Sequence, residues 1–347
     1  MHIKDRHIRI GLVGCGKIAG AHFKALQQLS SQFEIVSVCD SHSENLEKAI
    51  SVLNVEGFHH LDAMLSAKPD LDVITLCSPS GLHAQQALTI AANHKHIITE
   101  KPMATRWSDG VEMVKVCDKA RVNLFVVKQN RYQPALQLLK QALINNRLGR
   151  IYLVNLNVFW TRPQSYYDQA KWRGTWEFDG GAFMNQASHY VDLLTWLIGP
   201  VQSIQAMMST FAINMEAEDT GILNLRWRSG ALGSMNVTML TYPHNLEASL
   251  TVLGEKGSVK IGGLSANRID HWEFQEALEG DEKIQQINQQ PSASEGHTLY
   301  YENVASTLRG ETQADIDGRA GLRSLEIIIA AYLSARDNKT INLPLAY

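Results

Sequence analysis

Ile8-Arg9-Ile10-Gly11-Leu12-Val13-Gly14-Cys15-Gly16-Lys17-Ile18-Ala19-Gly20 decides the fold of this chain. Residues 8–13 read as a short buried strand, and from 17 to 30 the apolar residues Ile18, Ala21, Ala25, Leu26 and Leu29 recur at helical spacing. The glycines between them make a strand-to-helix turn. Gly14 permits the tight turn, Gly16 lets backbone approach a ligand, and Ala19 stands where the helix packs on the strand. The helix start, with Lys17 and Ile18 at its rim, offers N–H groups to a pyrophosphate.

A second strand, residues 33–39, ends at Asp40, where a carboxylate accepts bonds from ribose hydroxyls and repels a 2′-phosphate. The predicted cofactor is therefore NAD rather than NADP. The alternative makes Asp40 the cap of the next helix, beside Ser41 and Ser43. Strands at 72–76, 96–99 and 123–127 alternate with helices at 80–93 and 106–120, which is the pattern of a parallel, doubly wound sheet. Ligands bind beyond the carboxyl ends of such strands. Two loops meet that condition, one holding Ser78 and His83 and the other Glu100-Lys101-Pro102, and Gln129 lies just past the last strand. The plainer alternatives are a capping role for His83 and a solvated strand end for Lys101.

After Gly149 the pattern changes. A long alternating strand at 151–160 is followed by strands at 201–211, 219–228, 231–241, 246–253 and 257–261, with a weaker one at 268–274. Without crossover helices they imply an antiparallel sheet, covered on one face by helices near 183–198, 298–309 and 318–336. The open face would pair with another subunit. The expectation is an α/β chain: a Rossmann dinucleotide-binding domain over 1–128, then an α+β substrate-binding and oligomerisation domain over 129–347 with a large open-faced sheet. Residues 279–296, rich in Gln, Ser and Glu, read as a weakly structured insertion.

Composition narrows the partners. The 347 residues are 45% hydrophobic and 19% charged, with a net charge of −3 of interspersed sign, so no basic face exists for a nucleic acid. No run of eighteen apolar residues suggests a membrane span, and the N-terminus lacks the pattern of a secretory signal, so a cytoplasmic protein is expected. Cys15, Cys39, Cys77 and Cys117 are not spaced as a metal site or redox pair and read as filler.

Gly180-Gly181 precede a segment read as one helix, in which Asn185, His189 and Asp192 recur at i, i+4 and i+7 and form a polar stripe on an apolar helix. Such a stripe either cross-links structure or lines a cavity. In the loop 160–176, Arg162, Lys171 and Arg173 lie among Tyr166, Tyr167, Trp172 and Trp176, a mixture suited to an anionic ligand with a stackable ring. The alternative is a solvated loop folded over an apolar edge. His244 is a weaker candidate.

A Rossmann domain carrying Glu100-Lys101-Pro102, followed by the glycine pair and the segment through His189 to Asp192, resembles the Gfo/Idh/MocA oxidoreductase family over nearly the whole chain. The stretches Tyr166-Tyr167-Asp168, Trp172 to Glu177 and Gly180 to Gln186 are similar to its WlbA-type sugar-nucleotide dehydrogenases. The resemblance implies NAD-dependent oxidation of the 3-hydroxyl of UDP-N-acetylglucosaminuronic acid, on the way to a diacetamido-uronic acid of lipopolysaccharide O-antigen. It implies Lys101 and His189 as catalytic groups, with Asn185 where many members have aspartate. An amide cannot accept a proton, so the base is His189 or a Lys101 of depressed pKa, and His189 is favoured. Arg162, Tyr166, Gln186, Asn185, His189 and Lys101 are expected at the substrate. Glu100 would orient Lys101 or touch the nicotinamide ribose, and Trp172 and Arg173 would face the cofactor. A homotetramer is expected, with 2-oxoglutarate as a possible acceptor for recycling NADH. The rival readings are a dehydrogenase of a free sugar or inositol, a glycoside hydrolase using transient oxidation, and a dinucleotide-sensing regulator.

Overall fold

The computed structural model describes residues 2–277, 281, 288 and 296–346. It divides into two compact units, Met1–Gln129 with Glu295–Leu322, and Asn130–Ser294 with Arg323–Tyr347.

The first unit is built on β1 (Ile8–Val13), β2 (Phe33–Cys39), β3 (Glu56–Phe58), β4 (Val73–Leu76), β5 (His96–Thr99) and β6 (Leu124–Val126). All pair in parallel, in the order β3-β2-β1-β4-β5-β6. Ile8, Ile10, Leu12, Val73, Ile74 and Leu76 are fully buried, as strands covered on both faces require. The helices are α1 (Ala19–Gln28), α2 (Ser43–Leu53), α3 (Leu61–Ala67), α4 (His83–Ala92) and α5 (Trp107–Ala120). β3 and α3 are short and had no counterpart in the sequence reading. The chain works outward from β1 to β3, then restarts at β4 on the other side of β1. The carboxyl ends of β1 and β4 are thus the point where a doubly wound sheet opens a ligand crevice.

The second unit holds an eight-stranded sheet. Its strands are β7 (Ile151–Phe159), β8 (Val201–Ser209), β9 (Thr220–Trp227), β10 (Leu232–Thr238), β11 (Glu247–Gly254), β12 (Gly257–Gly262), β13 (Arg268–Phe274) and β14 (Ile341–Asn342), in the order β13-β12-β11-β7-β10-β9-β8-β14. Every pairing is antiparallel except β7 with β10, so the sheet is mostly antiparallel. Its remaining helices are α6 (Pro134–Ile144), started by a proline in its first turn, a single turn α7 (Gln164–Tyr167) and α8 (Ser188–Ile198). Two more follow late in the chain, α9 (Gly296–Arg309) and α10 (Gly318–Asp337). One sheet face is covered by α8, whose Leu194 carbonyl accepts from Trp227 Nε1 at 3.2 Å, and by α10, whose Ser334 Oγ accepts from Ala206 N at 2.9 Å.

Two expectations need correction. The run 129–347 is not one unit, because Glu295–Leu322 returns to the first. Nor does the helix near 298–309 cover the antiparallel sheet. α9 buries Tyr300, Tyr301, Val304 and Leu308; Thr298 donates to Gln28 of α1 at 2.6 Å, and Tyr301 meets Phe33 of β2 edge-on. Ile316 and Asp317 then bridge the edge strand β6, which shields its unpaired backbone. The insertion expected at 279–296 lies almost wholly outside the described residues. No helix among the described residues is long and apolar enough to cross a membrane. All four cysteines are free, and Cys39, Cys77 and Cys117 are buried.

Candidate active site

In the first unit the glycine turn is pressed onto the loop after β4. Gly14 has φ +88°, and a Cβ on it would lie 2.5 Å from the Ser78 backbone nitrogen, so both turn geometry and close approach demand glycine. Gly16 differs, because a Cβ there would meet no protein atom within 4 Å. Packing does not explain that glycine, and the open space beside it is where a ligand's phosphates would approach. α1 begins without a side-chain cap and without an acidic residue in its first turn, and Lys17 and Ile18 just before it are exposed. An anion is therefore welcome at its amino end.

Asp40 does not cap α2, whose N-cap is His42. Its Oδ2 accepts the Cys15 N–H at 2.7 Å and its Oδ1 the His42 N–H at 2.8 Å, so it braces the glycine turn at the end of β2. Each carboxylate oxygen can still accept a second bond, as ribose hydroxyls require. The uncapped helix, the open Gly16 and Asp40 together fit a dinucleotide.

Ser78 donates to Gln86 at 2.6 Å. His83 is buried with Nε2 2.9 Å from the Ser78 carbonyl and Nδ1 3.1 Å from the Pro102 carbonyl, and burial pushes its pKa down. It ties the loop after β4 to the loop after β5. Both ring nitrogens are thereby directed at backbone, so His83 shapes the crevice and does not point a polar atom into it. Gln129 begins the short turn after β6.

Glu100 is buried. Its Oε2 accepts the Lys101 backbone N–H at 3.0 Å, while Oε1 lies 3.0 Å from His22 Nε2 and 3.8 Å from His297 Nε2. Of the two roles expected for Glu100, this geometry favours orienting Lys101. Burial raises the carboxyl's pKa, but the histidine contacts outweigh it and hold Glu100 well below the usual carboxylate range. His22, Tyr301 and His297 were missed from sequence. His22 lies on the apolar stripe of α1 that the spacing did reveal, but its partners on α9 come from 275 residues or more downstream.

The second unit carries the other candidates. The segment around 183–198 is not one helix. A π-type turn spans Ala182–Gln186, closed by Ala187 N to Ala182 O at 2.8 Å, and α8 begins at Ser188. Asn185 therefore belongs to the turn and His189 to the first turn of α8. Asn185 donates its amide to Asp179, a buried carboxylate whose other oxygen accepts the Gly174 N–H at 2.7 Å. Asp192 is fully buried in a bidentate pair with Arg131, at 2.6 and 2.7 Å, so this member of the stripe cross-links structure.

Glu218 supports the Asn185 turn from below. Its Oε1 accepts from Phe183 N at 2.9 Å and from Tyr332 at 3.1 Å, and a Cβ on Gly181 would fall 1.9 Å from its Oε2. Burial pushes its pKa up to about 7.

Arg162, Tyr166, Arg173 and Gln186 converge. The Tyr166 hydroxyl accepts from Arg173 at 2.8 Å and from Gln186 at 3.0 Å, while Arg162 donates to Gln186 at 3.0 Å. The two guanidinium carbons lie 5.5 and 4.4 Å from the Tyr166 ring, and Arg173 also stacks on Trp172 at 4.6 Å. Among the described residues neither arginine has an ion-pair partner. Two such cations beside aromatic rings can receive an anion. His244 is exposed on the loop after β10.

The chain matches the family model for the Gfo/Idh/MocA oxidoreductase family, NAD-binding Rossmann fold, over residues 8–128, and that for the family's C-terminal alpha/beta domain over 140–343. It is similar in structure to the WlbA dehydrogenase of Chromobacterium violaceum in complex with NADH and UDP-GlcNAcA. That likeness has a TM-score of 0.96 and 58% identity, covering 100% of this chain and 99% of that one. The Bordetella pertussis WlbA dehydrogenase, also with NADH and UDP-GlcNAcA, gives a TM-score of 0.96 and 54% identity over 99% and 100% of the two chains. A more distant relative, the glucose-6-phosphate 3-dehydrogenase of Bacillus subtilis, is 25% identical over 73% of each chain.

Proposed function

The chain belongs to the Gfo/Idh/MocA oxidoreductase family, and from that premise we propose that it oxidises the C3 hydroxyl of UDP-N-acetylglucosaminuronic acid to the 3-keto sugar nucleotide with NAD as acceptor. The likeness over the full chain to two dehydrogenases crystallised with NADH and UDP-GlcNAcA carries this reading. Bound NAD supplies the hydride acceptor. The C3–H bond gives its electron pair as hydride, the hydroxyl proton leaves to a base, and the products are ketone, NADH and a proton.

The roles proposed for this chain's residues follow from chemistry. Gly14, Gly16, Lys17 and Ile18 receive the pyrophosphate, and Asp40 takes the adenosine ribose. Ser78, His83 and Gln129 shape the crevice, while Trp172 and Arg173 serve either the cofactor or the substrate. Lys101 donates to the C3 oxygen and His189 takes its proton. Asn185, its amide held by Asp179, fixes the sugar. Arg162, Tyr166 and Gln186 hold the uronate or the diphosphate, since two guanidiniums match either group.

Alcohol oxidation by NAD is uphill near neutral pH, so product must be drawn off. The proposed means are a following aminotransferase or hydride return from retained NADH to 2-oxoglutarate, which takes up a proton and becomes 2-hydroxyglutarate. The proposed setting is the cytoplasm, in O-antigen precursor synthesis, and the proposed assembly is a homotetramer. Its contact would be the sheet face opposite α8 and α10, where Leu153, Leu232 and Leu253 are exposed in one row.

The test is NADH formation at enzyme-stoichiometric concentration with NAD and UDP-N-acetylglucosaminuronic acid, with and without 2-oxoglutarate, and mass analysis of the sugar. A product two hydrogens lighter, oxidised at C3, is expected. Turnover of a free sugar or inositol without preference for the UDP-linked form would overturn the substrate.

A further inference from the structure

The proposed reaction leaves one buried cluster of the first unit without a role. His22 and Tyr301 are wholly inaccessible, and Thr75 beside them is too. His22 Nδ1 is 2.8 Å from the Tyr301 hydroxyl, which is 3.2 Å from Thr75 Oγ1; His22 Nε2 is 3.0 Å from Glu100 Oε1, and Glu100 Oε2 accepts the Lys101 N–H at 3.0 Å. One assignment of protons satisfies every link. Thr75 donates to Tyr301, Tyr301 to Nδ1 of a neutral His22, and Nε2–H to the Glu100 carboxylate. Burial, which pushes the His22 pKa down, favours that neutral ring. The His22, Glu100 and His297 ligand atoms are also close enough to share a metal ion, but in this assignment His22 Nε2 carries the hydrogen it donates to Glu100 and so offers no lone pair to a metal.

The chain of bonds joins α1, which begins at the glycine turn, to the backbone of Lys101. We propose that His22 is a positioning residue of the dehydrogenation: its donated hydrogen bond keeps Glu100 ionised and oriented, and Glu100 in turn holds Lys101. Tyr301 locks the His22 tautomer that can donate. Other groups facing Glu100 are His297 on α9, Cys77 after β4, His83 on α4 and Lys101 itself. At 3.0 Å the His22 contact to Oε1 is shorter than the 3.8 Å contact of His297. The role of Lys101 rests on the proposed function; the hydrogen-bond chain does not.

The experiment uses the full chain and compares His22→Phe, which keeps the shape and removes the donor, with His22→Gln, which returns an N–H near the position of Nε2. With UDP-N-acetylglucosaminuronic acid and NAD, His22→Phe is expected to lose about a hundredfold in kcat while KM and NADH affinity by fluorescence move less than about threefold. His22→Gln should recover most of that loss. Without its donor a buried Glu100 holds a proton, so the deficit of His22→Phe should shrink as pH rises and Glu100 ionises, whereas His22→Gln follows the wild-type profile. Equal losses in both variants, or a deficit independent of pH, would overturn the proposal. Tyr301→Phe, a smaller perturbation, should show a weaker form of the same pH-dependent loss should His22→Phe fail to fold, and a wild-type profile in Tyr301→Phe would equally count against it. A readout free of substrate separates this proposal from the reaction. The Tm gap between wild type and His22→Phe should widen with rising pH from two groups, the buried neutral His22 up to about pH 6.5 and the donorless Glu100, and Glu100→Gln in both chains should remove the second share and leave only the first. If the wild type ignores the sugar nucleotide yet Glu100→Gln shrinks the gap this way, the substrate is wrong and the network stands; a gap with the same pH dependence in both backgrounds removes the network whatever the substrate.

Discussion

Asp40 accepts N–H bonds from Cys15 and His42, and in the proposed reading the same carboxylate would receive ribose hydroxyls and repel a 2′-phosphate. Asp40→Ala should therefore weaken NAD by about tenfold, roughly 1.4 kcal/mol, and narrow the preference over NADP. Titration with both reduced dinucleotides checks this, and an equal loss for both would reduce Asp40 to a brace of the glycine turn. At the reacting carbon, Lys101→Ala should lower kcat by about three orders of magnitude while NADH still binds, as expected for a group that acts mainly in the transition state. His189→Asn should remove the acidic limb of the kcat profile if His189 is the base, because an imidazole must be neutral to accept the proton. A limb that persists in the variant would transfer that role to Lys101.

At the scale of elements, the turn Ala182–Gln186 stands on Glu218. Its pKa, raised to about 7 by burial, means that the folded chain binds a proton there at pH values where the unfolded chain has lost it. Stability contributed by this group is thus greatest at low pH and declines from the ordinary carboxylate range up to about 7, by an amount on the order of 3 kcal/mol. Glu218→Gln should match or trail the wild type at pH 5 and gain on it by pH 8 in thermal melts; parallel curves would show that Glu218 stays ionised. This element also shows where sequence reading stops. The spacing of Asn185, His189 and Asp192 is as regular as in a helix, yet Gly181 must admit the Glu218 carboxylate and the backbone takes a wider turn. That constraint is set by a residue 37 positions away. By contrast β1, β2 and β5 were legible to the residue, because short, mostly apolar runs, broken only by Arg9, Glu34 and Ser37 within them, end at clear turn or helix signals. The glycine turn and the positions of Asp40 and Lys101 just after β2 and β5 were likewise readable from order and spacing. Tyr301 and Asp179 were not, since nothing local marks them as partners of His22 and Asn185.

At the scale of the whole molecule, the sheet of the second unit has two unlike faces. Val154, Leu156 and Val158 of β7 are buried, while Leu153, Asn155 and Asn157 between them point the other way. Registered neighbours extend that second face in rows. Leu253 and Leu232 flank Leu153, Thr251 and Ser234 flank Asn155, and Ser249 and Asn236 flank Asn157. The amides spend bonds within the sheet, Asn155 to Ser234 at 2.9 Å and Asn236 to Asn157 at 2.9 Å. The face therefore carries amides and hydroxyls beside a leucine row whose members are 45%, 46% and 37% exposed, with Arg226 next to Leu232 and Lys260 next to Thr251 on the neighbouring strands. Two copies facing each other across a twofold axis would bury six such leucines, each worth on the order of 1 kcal/mol for its exposed part. A carboxylate placed in the middle of that row would be desolvated without a partner, at a cost of several kcal/mol. Leu153→Asp should therefore lower the sedimentation coefficient toward that of a smaller species while each chain still binds NADH. An unchanged coefficient would move the subunit contact to another face.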